Sequence, residues 1–240
     1  MQHQRSTRRA LLAPLALFTI LGLSGMPVMA QNATAIAAKD GASAQAAAQR
    51  DFAQFAAYQL RTRPGIAAVD FPLDIGDMQD LKDAVIGYGF PVHTVEAKDI
   101  VAGRADLQAM AKPTGQWRFI ISVRGKPVGL ATVEQVNGRY ETTSYGAATL
   151  AKDVDALTSH HGNAARNNLR FVRIYQARAD FLEVSGEGRT RYAPLHSARE
   201  SLLLQARAMK TGQGDTSLME ASEVLQPLRA AVKANLDAFR

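Results

Sequence analysis

Between Trp117 and Tyr145 the chain carries two tight-turn signals, Gly125-Lys126 and Asn137-Gly138, set within runs rich in Val, Ile, Thr and Tyr. Two-residue hairpin turns select Gly-led and Asn-Gly pairs because they need positive φ. The stretch therefore reads as a three-stranded antiparallel meander, which must bury one face against helices supplied elsewhere in the chain. Placing the two pairs at the loop positions sets Val123 opposite Val128, Ile121 opposite Leu130, Phe119 opposite Thr132 and Trp117 opposite Glu134. Across the second turn the same rule sets Val136 opposite Arg139, Glu134 opposite Glu141, Thr132 opposite Thr143 and Leu130 opposite Tyr145. The expected core face carries Trp117, Phe119, Ile121, Val123, Val128, Leu130 and Tyr145. Arg118, Ser122, Gln135 and Thr142 fall on the solvated side.

The helical partners are legible on either side of this meander. From Ser43, the residues Phe52, Phe55, Ala56, Gln59 and Leu60 recur at helical spacing until Pro64-Gly65 ends the run. Leu150, Val154 and Leu157, with Ala147 and Ala151, mark a second amphipathic helix that stops near Gly162. Ala84 to Tyr88 and Pro91 to Val95 read as short β pieces, and 104–111 as a helix ending before Pro113. A second strand block spans Phe171 to Val184, turns at 185–188 and returns through Arg189 to Pro194. Ser197 with Glu200, and Ser217 with Glu220, have the spacing of capping boxes that open C-terminal helices, the first running to about Lys210 and the second interrupted by Pro227. The expected class is α+β: an antiparallel meander packed against helices, with a helical C-terminal segment.

Residues 1–30 read as an export signal, with Arg5, Arg8 and Arg9 ahead of the apolar run Ala10 to Leu23 and Val28-Met29-Ala30 at the cleavage site. Thr7 to Leu12 also resembles the twin-arginine export motif, although basic ends are general to export signals. Residues 31–42 are expected as a disordered tether and 43–240 as one domain, with a possible subdivision into 43–162 and 163–240. The protein is thus expected in the periplasm or secreted, with no membrane span once the signal is removed. Removing residues 1–30 takes away three arginines and no acids, which lowers the net charge from +6 to +3. So small an excess argues against a nucleic-acid partner bound through phosphates. Cysteine is absent, so in an oxidising compartment the core alone must hold the fold.

Few residues suggest chemistry. Glu134 and Glu141, opposed at the Trp117 end of the expected core face, form the candidate site: two carboxylates in a partly dry setting can act as an acid/base pair. The alternative is a rim where both stay ionised and inert. Trp117, Glu134 and Glu141 are likewise the candidate ligand-binding residues. His160-His161 cannot share a ligand face on a helix, and His93 and His196 lack the spacing of a zinc helix, so no metal site is expected. Gly186-Glu187-Gly188 lacks the rest of a phosphate loop and reads as a hairpin turn. Arg118, Arg124, Lys126 and Arg139 read as solvated charges that guard a sheet edge. No cofactor is expected.

The helix from Ser43 to Arg61, followed by the meander WRFIISVRGKPVGLATVEQVNGRYETTSYG, resembles the α+β plan of PepSY-type and cystatin-like exported bacterial modules. The resemblance covers about a third of the chain after the signal and implies a non-enzymatic binding, inhibitory or chaperone-like module of the envelope. Its partner would be another envelope or secreted protein, engaged through a sheet face or edge. The rival expectation is an exported hydrolase built on Glu134 and Glu141 beside Trp117.

Overall fold

A computed structural model describes residues 28–63, 65, 67–104, 106–203 and 217–238. The export signal lies outside these residues except for its last three positions, and so does the stretch to Lys210 expected as helix. Residues 37–240 form one compact unit. Helix α1 spans Val28–Thr62. Residues 31–42, expected as a disordered tether, are helical and belong to its first turns, because the alanines of this run favour helix and outweigh Asn32, Thr34, Asp40 and Gly41, which do not.

Seven strands follow: β1 (Ala84–Thr94), β2 (Lys112–Val123), β3 (Lys126–Val136), β4 (Arg139–Gly146), β5 (Leu169–Ile174), β6 (Ala179–Gly186) and β7 (Arg189–Pro194). They form one sheet in the order β4-β3-β2-β1-β5-β6-β7. Every neighbouring pair is antiparallel except β1 with β5, which is parallel. That parallel pair joins 43–162 to 163–240, so the sheet crosses the expected subdivision. The two β pieces around Gly89 are one strand with a bulge at Gly87-Tyr88. The block Phe171 to Val184 is instead two strands, broken by a 3-10 turn at Tyr175–Ala177 that ends on Arg178 at φ 51.

The meander forms where expected, but its register differs. The first turn is Arg124-Gly125, both at positive φ (49 and 76), and the second is Asn137-Gly138 (50 and 79). Val123 closes on Lys126, and Val128 is an extra residue bulged between Pro127 and Gly129. Trp117 therefore faces Val133 rather than Glu134, and Phe119 faces Ala131 rather than Thr132. Glu134 does face Glu141. Beyond it a second bulge at Thr143 sets Tyr145 opposite Ala131 and Gly146 opposite Leu130.

A one-residue slip moves every later side chain to the other face, and here both faces are core. On the first face Trp117, Phe119, Ile121, Ala131, Val133 and Tyr145 meet Ala44, Ala47, Ala48 and Phe52 of α1. Ile120 and Leu130 point the other way, with Phe90, Phe171 and Leu182, onto Ala151, Val154 and Leu157 of α4 (Ala148–His161). Arg118 shares that second face and is 9% exposed, so the expectation of a solvated sheet-edge charge fails. Its guanidinium lies 6.0 Å from the centre of the Phe171 ring. Thr142, also expected on the solvated side, is on the α1 side.

The first face continues over β5–β7. There Val172, Ile174, Phe181 and Tyr192 are covered by α2 (Ala97–Val101), α3 (Leu107–Met110) and α6 (Ala221–Ala238). Helix α6 passes through Pro227 and buries Val224, Leu225, Leu228 and Val232 on one side. Its capping carboxylate is Glu223, which accepts from the Glu220 amide, so the helix starts later than the Ser217 signal suggests. Helix α5 (His196–Ser201) is not capped by Ser197 either, because that hydroxyl donates to Asp180 across the sheet.

Both sheet edges are engaged. Asp51 of α1 accepts from the Thr142 amide at 2.7 Å and Arg50 donates to the Tyr140 carbonyl at 3.2 Å, which caps the outer side of β4. On β7, Tyr192 exchanges backbone hydrogen bonds with Met219. Such caps block edge-to-edge pairing.

Candidate functional site

Glu134 and Glu141 oppose each other across β3 and β4, but they share no recess. Glu134 accepts from Gln116 Nε2 at 2.6 Å and lines a hollow with Thr114, Gly115 and Tyr175. Glu141 is exposed and lines a separate hollow with Arg50, Asp51 and Tyr58. Trp117 lies on the first face, stacked on Phe119 at 6.3 Å and packed against the α1 cluster. The three candidate residues are thus not brought together around one cavity. His160 and His161 sit in the last turn of α4, their rings edge to face at 4.6 Å. Among the described residues no group of three or more His, Cys, Asp or Glu is placed to hold a metal ion.

A different site arises from the parallel pair. β1 and β5 are in register only over Val92 to Thr94 and Phe171 to Arg173. Upstream of this the chain leaves β5 into the loop after α4, and a cleft of about 400 Å³ opens in the gap. Its walls include Gly89, Pro91 and His93 from β1, Arg166 from the loop, Arg170 from β5 and Glu183 from β6. Strand alternation places His93, Arg170 and Glu183 on the same face.

The floor is a buried charged network. Arg170 donates to Glu183 at 2.5 Å and to the Gln108 carbonyl of α3 at 2.9 Å. Glu183 is 3% exposed and lies beside the Tyr192 hydroxyl, whose pKa burial and that carboxylate both push up. Arg170 Nε is buried without a partner, while the His93 ring lies against the carbonyls of Pro91 and Phe171. At the rim, Arg166 lies over the Tyr88 ring at 4.5 Å, a stacking that leaves the guanidinium edge available for in-plane hydrogen bonds.

Burial and the Arg170 guanidinium lower the pKa of His93, outweighing the carbonyls of Pro91 and Phe171 that raise it. The imidazole is therefore neutral in the fold at pH 7, while the unfolded side chain titrates near ~6.5. Below that value the unfolded state binds the extra proton, so this contribution to stability is complete above pH ~6.5 and is lost as pH falls through the folded pKa. Thermal unfolding is expected to show a falling Tm between about pH 7 and 5, and His93→Gln should flatten part of that slope. An unchanged slope in the variant would remove His93 as its source.

Sequence reasoning missed this site because its residues are scattered across three strands and a loop. Arg170 and Glu183 alternate with apolar neighbours as ordinary strand residues do, and only the β5–β6 register, with Arg170 opposite Glu183, makes them a pair. The one available signal was a buried-type strand block, Phe171 to Val184, that holds charged residues. Comparison with protein-family models, curated proteins and solved structures finds no match for this chain.

Proposed function

We propose that this chain is an exported, non-enzymatic binding module whose cleft between β1 and β5 accepts an anionic group of its ligand. The observation that carries the reading is a cleft with two guanidinium-bearing residues on its walls, Arg170 at the floor and Arg166 at the rim. Arg170 supplies one charge-assisted donor, Arg166 a second charge at the entrance, and Glu183 is already neutralised by Arg170 and so repels an anion less. A cleft of this size with a few convergent polar groups is the ordinary form of a small-ligand site. The leader-like residues 1–30 support export to the periplasm or beyond. The packing of α1 on the meander supports an accessory role of the kind the PepSY-type and cystatin-like resemblance implies.

The hydrolase alternative draws less support, because Glu134 is held by Gln116 and Glu141 opens to solvent elsewhere. The test is an NMR titration of the chain from Gln31 onward with acetate, succinate and phosphate in turn. At least one should shift the amides of Gly89, Arg166 and Phe171, and Arg166→Ala should weaken that anion by about 10-fold. If none of the three perturbs these amides, the cleft is not an anion site.

A further inference from the structure

The same gap leaves half of β1 without a neighbour. β1 pairs with β2 from Ala84 onward, but its pairing with β5 begins at Val92. In the Arg124-Gly125 hairpin, Val123 and Lys126 are the hydrogen-bonded closing pair, so Val123, Ile121 and Phe119 turn their amides and carbonyls toward β3. Their partners on β1, Ala84, Ile86 and Gly89, must then turn theirs away from β2; the Ala84 amide is taken by the Leu81 carbonyl, which leaves Ile86 and Gly89 facing the gap. Trp117 follows the same alternation, and its partner is Pro91, which has no N–H to leave unpaired. Val85 is 57% exposed, and Gly87 and Gly89 add no side chain along this edge. Unlike β4 and β7, which α1 and Met219 cap, this edge has no cap from Ile86 to Gly89 among the described residues.

We propose that the free edge of β1 receives the C-terminal segment of another protein as an added strand parallel to β1, with its terminal carboxylate in the cleft. The proposal rests on the reading of the cleft as an anion site and names the ligand class that fits it. The added strand would lie on the line of β5, upstream of Leu169, and about three residues oppose the free edge from Ile86 to Gly89, as Ile121 to Phe119 do on the β2 side. Charge selects its direction. A parallel strand brings its carboxylate to Arg166 and Arg170, whereas an antiparallel one would bring an ammonium group to two guanidinium groups. Main-chain bonds to Ile86 and Gly89 supply affinity that does not depend on sequence, and the carboxylate fixes the register.

The experiment uses the chain from Gln31 onward and a pool of random heptapeptides with free C-termini, followed by resynthesis of the peptides retained. Retained peptides should bind in fluorescence anisotropy, and C-terminal amidation should weaken them by about 10-fold or more. N-methylation of the peptide amide that faces β1 should do the same without altering the protein. Hydrogen exchange at Ile86 and Gly89 should slow on binding, and Arg166→Ala should weaken free-acid peptides while leaving amidated ones unchanged. Equal binding of amidated peptides, or no slowing at Ile86 and Gly89, overturns the proposal. Protection of these amides that grows with protein concentration in the absence of peptide would give the edge to a second copy, and also overturns it. Binding of acetate or phosphate with no peptide retained overturns the peptide assignment alone, whereas failure of both overturns the cleft reading.

Discussion

Arg170→Met is expected to cost about 3–5 kcal/mol of unfolding free energy, because it leaves the Glu183 carboxylate buried with no counter-charge. Glu183 is 3% exposed, and the group left beside it, the Tyr192 hydroxyl, is neutral at pH 7. Glu183→Leu should be less damaging, since the Arg170 guanidinium keeps the Gln108 carbonyl and has partial access to the cleft. The Arg170→Met/Glu183→Leu double variant should recover most of the loss, because a buried pair replaced by apolar side chains of similar volume is often neutral or better. Urea unfolding of the four proteins in a double-mutant cycle measures this. A double variant as unstable as Arg170→Met alone would mean that the guanidinium acts by packing against α3 and not by its charge. The same double variant should lose the anion site, which separates the stability of the network from its use.

Gly89→Ala is expected to be the most disruptive small substitution in the sheet. A Cβ at this position would lie 2.2 Å from Phe119 Cε1 and 2.3 Å from Cδ1. Phe119 is buried, stacked on Trp117 and covered by α1, so its ring has no room to swing aside. Overpacking of this kind typically costs about 1–3 kcal/mol, and with a clamped ring the upper end is expected. Shortening the ring partner should relieve it: in the Gly89→Ala background, Phe119→Leu should be far less harmful than in the native chain. The coupling is expected to exceed about 1 kcal/mol, measured from urea midpoints with m unchanged. Additive effects would show that β1 moves to admit the methyl group.

Phe119 also shows how far the sequence can be read. Its place on a core face follows from alternation, and so does its inward partner helix, since Phe52 and Phe55 recur at helical spacing upstream. What it faces does not follow. The turn forms one residue earlier than the Gly-led pair suggests, which alone would set Phe119 opposite Leu130, and a bulged residue at Val128, which carries no local mark, returns it to Ala131. The candidate glutamates illustrate the same limit. Their mutual pairing follows from the Asn137-Gly138 turn, which is close by, but their association with Trp117 depended on the first hairpin and was lost with its register.

The sequence by itself determined the local elements: two helices with apolar stripes, a meander with its second turn correctly placed, and an α+β class with a helical end. These rest on short-range spacing and turn chemistry, which act over a few residues and are written contiguously. Tertiary structure alone decided the two-sided burial of the sheet, the parallel contact of β1 with β5, and therefore the cleft. Arg170 and Glu183 become a buried ion pair, and Ile86 to Gly89 an unpaired edge, only because strands more than 70 residues apart meet over three positions and no further. Where a parallel pairing stops is set by how α4 and the loop after it return the chain to the sheet, and no local pattern encodes that.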